Sequence, residues 1–106
     1  TDYALVNLNF FFADVIMKEI VASSRFKKDI KRFKSRPETL KKLYNVVNIL
    51  LQGESLPEHY KPHMLSGEYK GYMECHIEND TLLIWIDENE NLIRLIRFGS
   101  HSELFR

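Results

Sequence analysis

The chain has 106 residues, 44% of them apolar, with 15 Lys/Arg balancing 15 Asp/Glu and a single cysteine, Cys75. That length and apolar content fit one small domain with a modest core, and a lone cysteine excludes an internal disulfide and favours a reducing, cytoplasmic compartment. Glycine and proline are too few for a low-complexity tract.

The first hydrophobic stretch, "ALVNLNFFFADVI", is interrupted by Asp14, well short of the ~20 apolar residues a membrane helix needs. It also lacks a basic leader. No membrane association is expected. "KEIVAS" (18–23) reads as a short strand. "SSRFKKDIKRFKSR" then sets Phe26, Ile30 and Phe33 at i, i+4, i+7, one apolar stripe on a helix that Ser23 or Ser24 can cap. Pro37 suits the first turn of a second helix, with Leu40, Leu43, Tyr44, Val47 and Leu51 as its expected stripe and Gly53 as its C-cap.

These helices carry most of the positive charge. Residues 17–43 hold ten Lys/Arg against three Asp/Glu, a net of +7, whereas residues 44–106 hold five against ten, a net of −5, and the first sixteen contribute −2. A basic face of this kind is either a solvated helix surface or a surface that steers a polyanion.

The second half reads as an antiparallel meander. "EYKGYMECHIE" alternates, with Tyr69, Gly71, Met73, Cys75 and Ile77 on one face and Lys70, Tyr72, Glu74, His76 and Glu78 on the other. Asn79-Asp80 forms a turn, "TLLIWID" a strand, "ENEN" a second turn and "NLIRLIRF" a third strand. The fold class is therefore α+β, with the helices on one face of the sheet and the other face open. Cys75 belongs to the apolar face and reads as core packing.

The polar groups suited to chemistry are His63, beside Pro62, His76 on the polar face, Asp80 in the turn, Arg97 at the end of the last strand and His101 in the tail. In a meander, the end of the first long strand, the start of the second and the end of the third share one sheet edge. His76, Asp80, Arg97 and His101 are accordingly expected to converge, with Arg97 and His101 partly exposed, so that replacing either spares the fold. Imidazoles exchange protons near neutrality and a guanidinium grips a phosphate in bidentate fashion. Together they suit cleavage of RNA by its own 2′-hydroxyl, without metal or cofactor. Each residue also has an ordinary reading: Asp80 as a turn residue, Arg97 as partner of a carboxylate such as Glu103, Ser100 or Ser102 as a helix cap. His59 and His63 would form a metal pair only on a helix, which Pro62 disfavours.

The segments "HMLSGEYKGYMECHIENDTLLIWI" and "LIRLIRFGSHSELF", with the opening "MKEIVASSRFKKDIKRFKS", resemble the YafQ branch of the RelE-type bacterial toxins. The resemblance covers residues 17–106 and leaves 1–16 as an extension outside it. It implies a RelE-like fold, with two N-terminal helices on a mainly antiparallel sheet of about four strands and a short C-terminal turn or helix. It also implies a ribosome-dependent endoribonuclease that cuts mRNA and is held in an oligomer by a cognate antitoxin. On this resemblance His101 is the general acid, Arg97 the phosphate clamp, and His63 or His76 with Asp80 the base side. The basic helix residues Lys27, Lys28, Lys31 and Arg32, together with Lys70, then face RNA. The chain has Thr81 where the family often has an aromatic residue and Met73 where it often has arginine, positions of base stacking and of one phosphate contact, so the family's codon preference does not carry over. The same superfold also serves ParE-type toxins that bind gyrase. The alternatives are therefore a non-enzymatic binder or an inactive, antitoxin-bound regulator, and the cluster of imidazoles beside an arginine favours the nuclease.

Overall fold

Residues 18–89 and 91–105 are described by the computed structural model; the apolar run that ends before Met17 lies outside them. Strand β1 (Glu19–Ala22) leads into helix α1 (Ser24–Lys31), then α2 (Pro37–Leu51). A two-residue strand β2 (His63–Met64) precedes β3 (Met73–Glu78), β4 (Thr81–Asn89), β5 (Leu92–Gly99) and a single C-terminal turn of helix, α3 (His101–Leu104). The sheet has five strands in the order β1-β5-β4-β3-β2, one more than the sequence predicts, because His63 and Met64 pair with Glu74 and Met73. β1 runs parallel to β5, and every other pairing is antiparallel.

Ser23 caps α1, its side chain accepting from the Phe26 backbone N–H at 3.0 Å, and Phe26 and Phe33 enter the core against Phe98. α2 begins at Pro37 and stops before Gly53, whose φ of 74° is the left-handed geometry a C-terminal glycine accommodates. The buried line on α2 is Thr39, Leu43, Val46 and Leu50, whereas Tyr44 is 69% exposed. The helix is thus rotated by roughly a quarter turn from the predicted stripe, given 3.6 residues per turn. It carries enough apolar residues for two overlapping stripes, and a polar anchor selects between them: Thr39 Oγ1 donates to the Glu78 carboxylate, which also receives Lys42 Nζ at 3.0 Å and Arg36 Nη2 at 3.2 Å.

The predicted strand from Glu68 also begins late, at Met73. Gly67–Tyr69 form a 3₁₀ turn, and Gly67 and Gly71 take φ of 71° and 92°, values that break a strand whatever the alternation of its side chains. β4 runs on to Asn89, through the start of the predicted "ENEN" turn. The helices cover one face of the sheet over Cys75, Leu83, Trp85, Ile93, Leu95 and Phe98. The other face is not fully open. Leu104 packs there on Leu82 and Ile84, with Leu65, Tyr72, Ile96 and Phe105 around them.

Candidate active site

The register of the sheet places the polar residues. Directly opposed residues of antiparallel strands point to the same face, and His63 opposes Glu74, Glu74 opposes Ile84, and Ile84 opposes Arg97. One row across the face away from the helices therefore reads His63, Glu74, Ile84, Arg97. In the neighbouring row His76 opposes Leu82, and Leu82 opposes Gly99. With strands about 4.8 Å apart, His76 stands roughly 10 Å from the point where the chain turns into α3 and presents His101. The register thus puts His76 two strands from Gly99, in the row next to that of Arg97.

The C-terminal end of the site is built from caps. Ser100 is the N-cap of α3, its hydroxyl accepting from the Glu103 N–H at 3.2 Å while the Glu103 carboxylate accepts from the Ser100 N–H at 2.8 Å. This capping box satisfies two of the N–H groups that a helix start leaves unpaired. A further helix-start donor, the His101 N–H, reaches the Asp80 carboxylate at 3.2 Å. Asp80 is thereby placed against the His101 end of the site, away from His63. The exposed His101 ring stacks against Phe105 with centroids 4.8 Å apart.

At the opposite end, both nitrogens of His63 are engaged. Nδ1 meets the Lys61 carbonyl at 2.8 Å and Nε2 lies 3.1 Å from a Glu74 oxygen. Glu74 is only 5% exposed. The sequence places it on the polar face but does not single it out; its signal is that it alternates with His76 on one side of a strand. His76 is half-buried beside β3 and lines a groove of about 370 Å³ with His59, Tyr60, Lys61 and Lys42. His59 lies in a 3₁₀ turn and His63 in a strand. The helical metal pair does not form, and among the described residues no group of three His, Cys, Asp or Glu could hold a metal ion.

Arg97 differs from its expected setting. It is buried, 7% exposed, not partly open. The carboxylate it meets is Asp29 of α1, not Glu103: Nε donates at 2.8 Å and Nη2 at 3.2 Å. The reason lies in the edge of β5. β1 pairs with β5 only as far as Leu95, and beyond that point Ser23 Oγ donates to the Ile96 carbonyl and Asp29 accepts the Phe98 N–H at 2.9 Å. Backbone donors at a buried edge need partners, and Asp29, itself 2% exposed, serves the edge and the guanidinium together. Its hydrogen bonds push Arg97 further above the ordinary arginine range, with Tyr69 adding to the effect, so the guanidinium is permanently cationic. Asp29 is a site residue that sequence reasoning missed; a lone aspartate in a basic helix at i+3 from the buried Phe26 was the available signal.

Of the predicted RNA-facing residues, Lys27, Lys28, Lys31 and Lys70 are exposed. Arg32 is exposed too, but its guanidinium is held by Asp29 at 2.8 Å and lies 3.5 Å from Glu103.

Known proteins of similar sequence share this α+β fold. The family model described as a bacterial toxin of type II toxin-antitoxin system, YafQ, matches residues 18–106. The chain belongs to the YafQ family. The mRNA interferase toxin YafQ of Escherichia coli K12 is 35% identical over 92 residues, which span 86% of this chain and 99% of that protein. YafQ in the E. coli DinJ–YafQ toxin–antitoxin complex superimposes with a TM-score of 0.76 at 35% identity, covering 86% of this chain and all of that one. A metal-bound toxin from Helicobacter pylori gives a TM-score of 0.74 at 41% identity, covering 85% of this chain and all of that one. YafQ-family membership thus accounts for the α+β fold. Among the described residues of this YafQ-family chain, no helix is long and apolar enough to cross a membrane.

Proposed function

We propose that this chain is a cytoplasmic endoribonuclease, an mRNA interferase that cuts messenger RNA on the ribosome and is silenced by a cognate antitoxin. The observation that carries the reading is the alignment, on one sheet face and edge, of an arginine with a proton-transfer group on either side of it. The relatives named mRNA interferase toxin, and the toxin–antitoxin complex of one of them, support the substrate and the partner.

On this reading the 2′-hydroxyl of the RNA is the nucleophile. The base is His76, because both ring nitrogens of His63 face acceptors; it takes the proton as the oxygen attacks the adjacent phosphorus. The P–O5′ bond breaks and His101, held by the Asp80 carboxylate at its backbone, protonates the leaving 5′-oxygen. Arg97 meets the charge that accumulates on the phosphoryl oxygens. Its Nε and one Nη2 donor are spent on Asp29, so a phosphate has only the remaining guanidinium donors to meet. Lys27, Lys28, Lys31 and Lys70 supply the positive surface along which RNA approaches.

The test is cleavage of mRNA on translating ribosomes by the purified toxin. A message with one 2′-deoxy sugar immediately 5′ of the scissile phosphate is expected to resist, and the normal products are a 2′,3′-cyclic phosphate and a 5′-hydroxyl. A 5′-phosphate product, or efficient cleavage of the deoxy substrate, makes water the nucleophile and overturns the mechanism.

A further inference from the structure

Four charged side chains from three elements alternate in sign along the back of the site. Arg97 on β5 donates to Asp29 on α1; Asp29 also accepts from Arg32 Nη2 at 2.8 Å; Arg32 Nε lies 3.5 Å from Glu103 on α3. Glu103 in turn accepts the N–H of Ser100, the residue on which the His101 helix starts. Three-residue spacing brings Arg32 next to Asp29 on the same side of α1. The chain closes over Gly99, where a Cβ would lie 3.0 Å from Glu103 Oε1 and 3.6 Å from Arg32 Nη2. A Cβ there would crowd Glu103 Oε1, while its distance to Arg32 Nη2 is an ordinary contact.

We propose that Arg32 is a positioning residue for the cleavage reaction, locking the Arg97 clamp and the His101 helix in a fixed mutual geometry through Asp29 and Glu103. This rests on the proposed nuclease function. It reassigns Arg32 from an RNA contact to an internal strut. The physical case is that α3 is one turn long, too short to hold its own orientation, while Arg97 is fixed in the sheet. A planar guanidinium with five donors can serve two carboxylates at once, which an ammonium on a flexible stem does less well. The Ser100 backbone N–H, then its hydroxyl, then the nearby Arg32 hold the Glu103 carboxyl below the usual carboxylate range, so the strut is charged at neutral pH.

The experiment is steady-state cleavage on ribosomes by Arg32→Gln, Arg32→Lys and Glu103→Gln, each first shown to be folded by its thermal midpoint. Glu103→Gln is the safer variant, since glutamine preserves the capping box and only the charge facing Arg32 is lost. The expected result is a kcat lowered about tenfold, within the roughly 100-fold that a 1 Å misplacement can cost, with KM unchanged within about twofold. Arg32→Lys fails to restore kcat, and combining Arg32→Gln with Glu103→Gln adds little further loss. A raised KM with normal kcat, rescued by lysine, would make Arg32 an RNA contact and overturn the proposal; so would wild-type kcat in both glutamine variants. Substrate-free NMR separates this from failure of the nuclease reading. The Arg97 Nε–H and His101 ring signals both move in Glu103→Gln if the strut exists, even should wild-type protein cut no RNA. Unmoved signals overturn it.

Discussion

Removing the Asp29 carboxylate should unfold this protein far more readily than its place in a basic surface helix suggests. Asp29 is 2% exposed and accepts four hydrogen bonds: two from Arg97, one from Arg32 and one from the Phe98 backbone. In Asp29→Ala the Arg97 guanidinium stays buried with no counter-charge, and the Phe98 N–H loses its acceptor. Leaving one member of a buried pair uncompensated costs about 3–5 kcal/mol. A domain of this size loses roughly 4–8 °C of midpoint per kcal/mol, so the melting temperature should fall by about 12 °C or more. Against a total stability of about 5–15 kcal/mol, that is a large fraction. The measurement is thermal or urea denaturation followed by circular dichroism, with the double variant Asp29→Leu/Arg97→Met as the control. Replacing both charges by apolar groups removes the stranded cation, so the double variant should be more stable than Asp29→Ala despite carrying two changes. An Asp29→Ala midpoint within about 3 °C of wild type, where surface substitutions usually fall, would refute the reasoning and place Arg97 in contact with water. By the same logic Arg97→Ala destabilises the fold, and its activity loss has to be read at a temperature where the variant is folded.

His101→Ala should instead leave the melting temperature near wild type, because the ring is exposed and, among the described residues, stacks on Phe105; cleavage on ribosomes should fall by on the order of 10²–10⁴. Burial, with the neighbouring Glu74 charge adding to it, pushes the Cys75 thiol up to about 12. A disulfide exchange reagent at pH 8 should therefore label it only as the protein unfolds, and prompt labelling of native protein would contradict the core placement. The Glu78 carboxyl is held below its ordinary range chiefly by the hydrogen bond from Lys42, with Thr39 and Arg36 adding to it. The stabilisation it provides is therefore present above the unfolded carboxyl value of about 4.3 and lost as pH falls through the lower folded value. Wild type should exceed Glu78→Gln in urea midpoint at pH 7 and converge with it once the pH has fallen below the folded Glu78 value; a gap that persists in acid would mean the charge on Glu78 is not what anchors α2.

Local sequence determined much of this protein by itself. Ser23, Pro37 and Gly53 mark helix ends through interactions within a few residues of chain, and the strands of the meander show in short alternating or apolar runs between turns. The two motifs that carry His63, His76, Asp80, Arg97 and His101 resemble the YafQ branch clearly enough to indicate fold and family before any geometry is known. What only the tertiary structure decided is which long-range partner each polar group takes. α2 offers two apolar stripes, and Glu78, reached by Thr39 from 39 residues away, selects one. Arg97 is paired with Asp29, 68 residues earlier, because β1 ends at the point where β5 still has a backbone donor to satisfy. Arg32 is drawn into a chain of ion pairs because α3 folds back beside α1. Periodicity and capping depend on neighbours within a turn or two and are written in the sequence. The partner of a buried charge depends on where strands end in space, and the chain settles that only when the sheet closes over its edge.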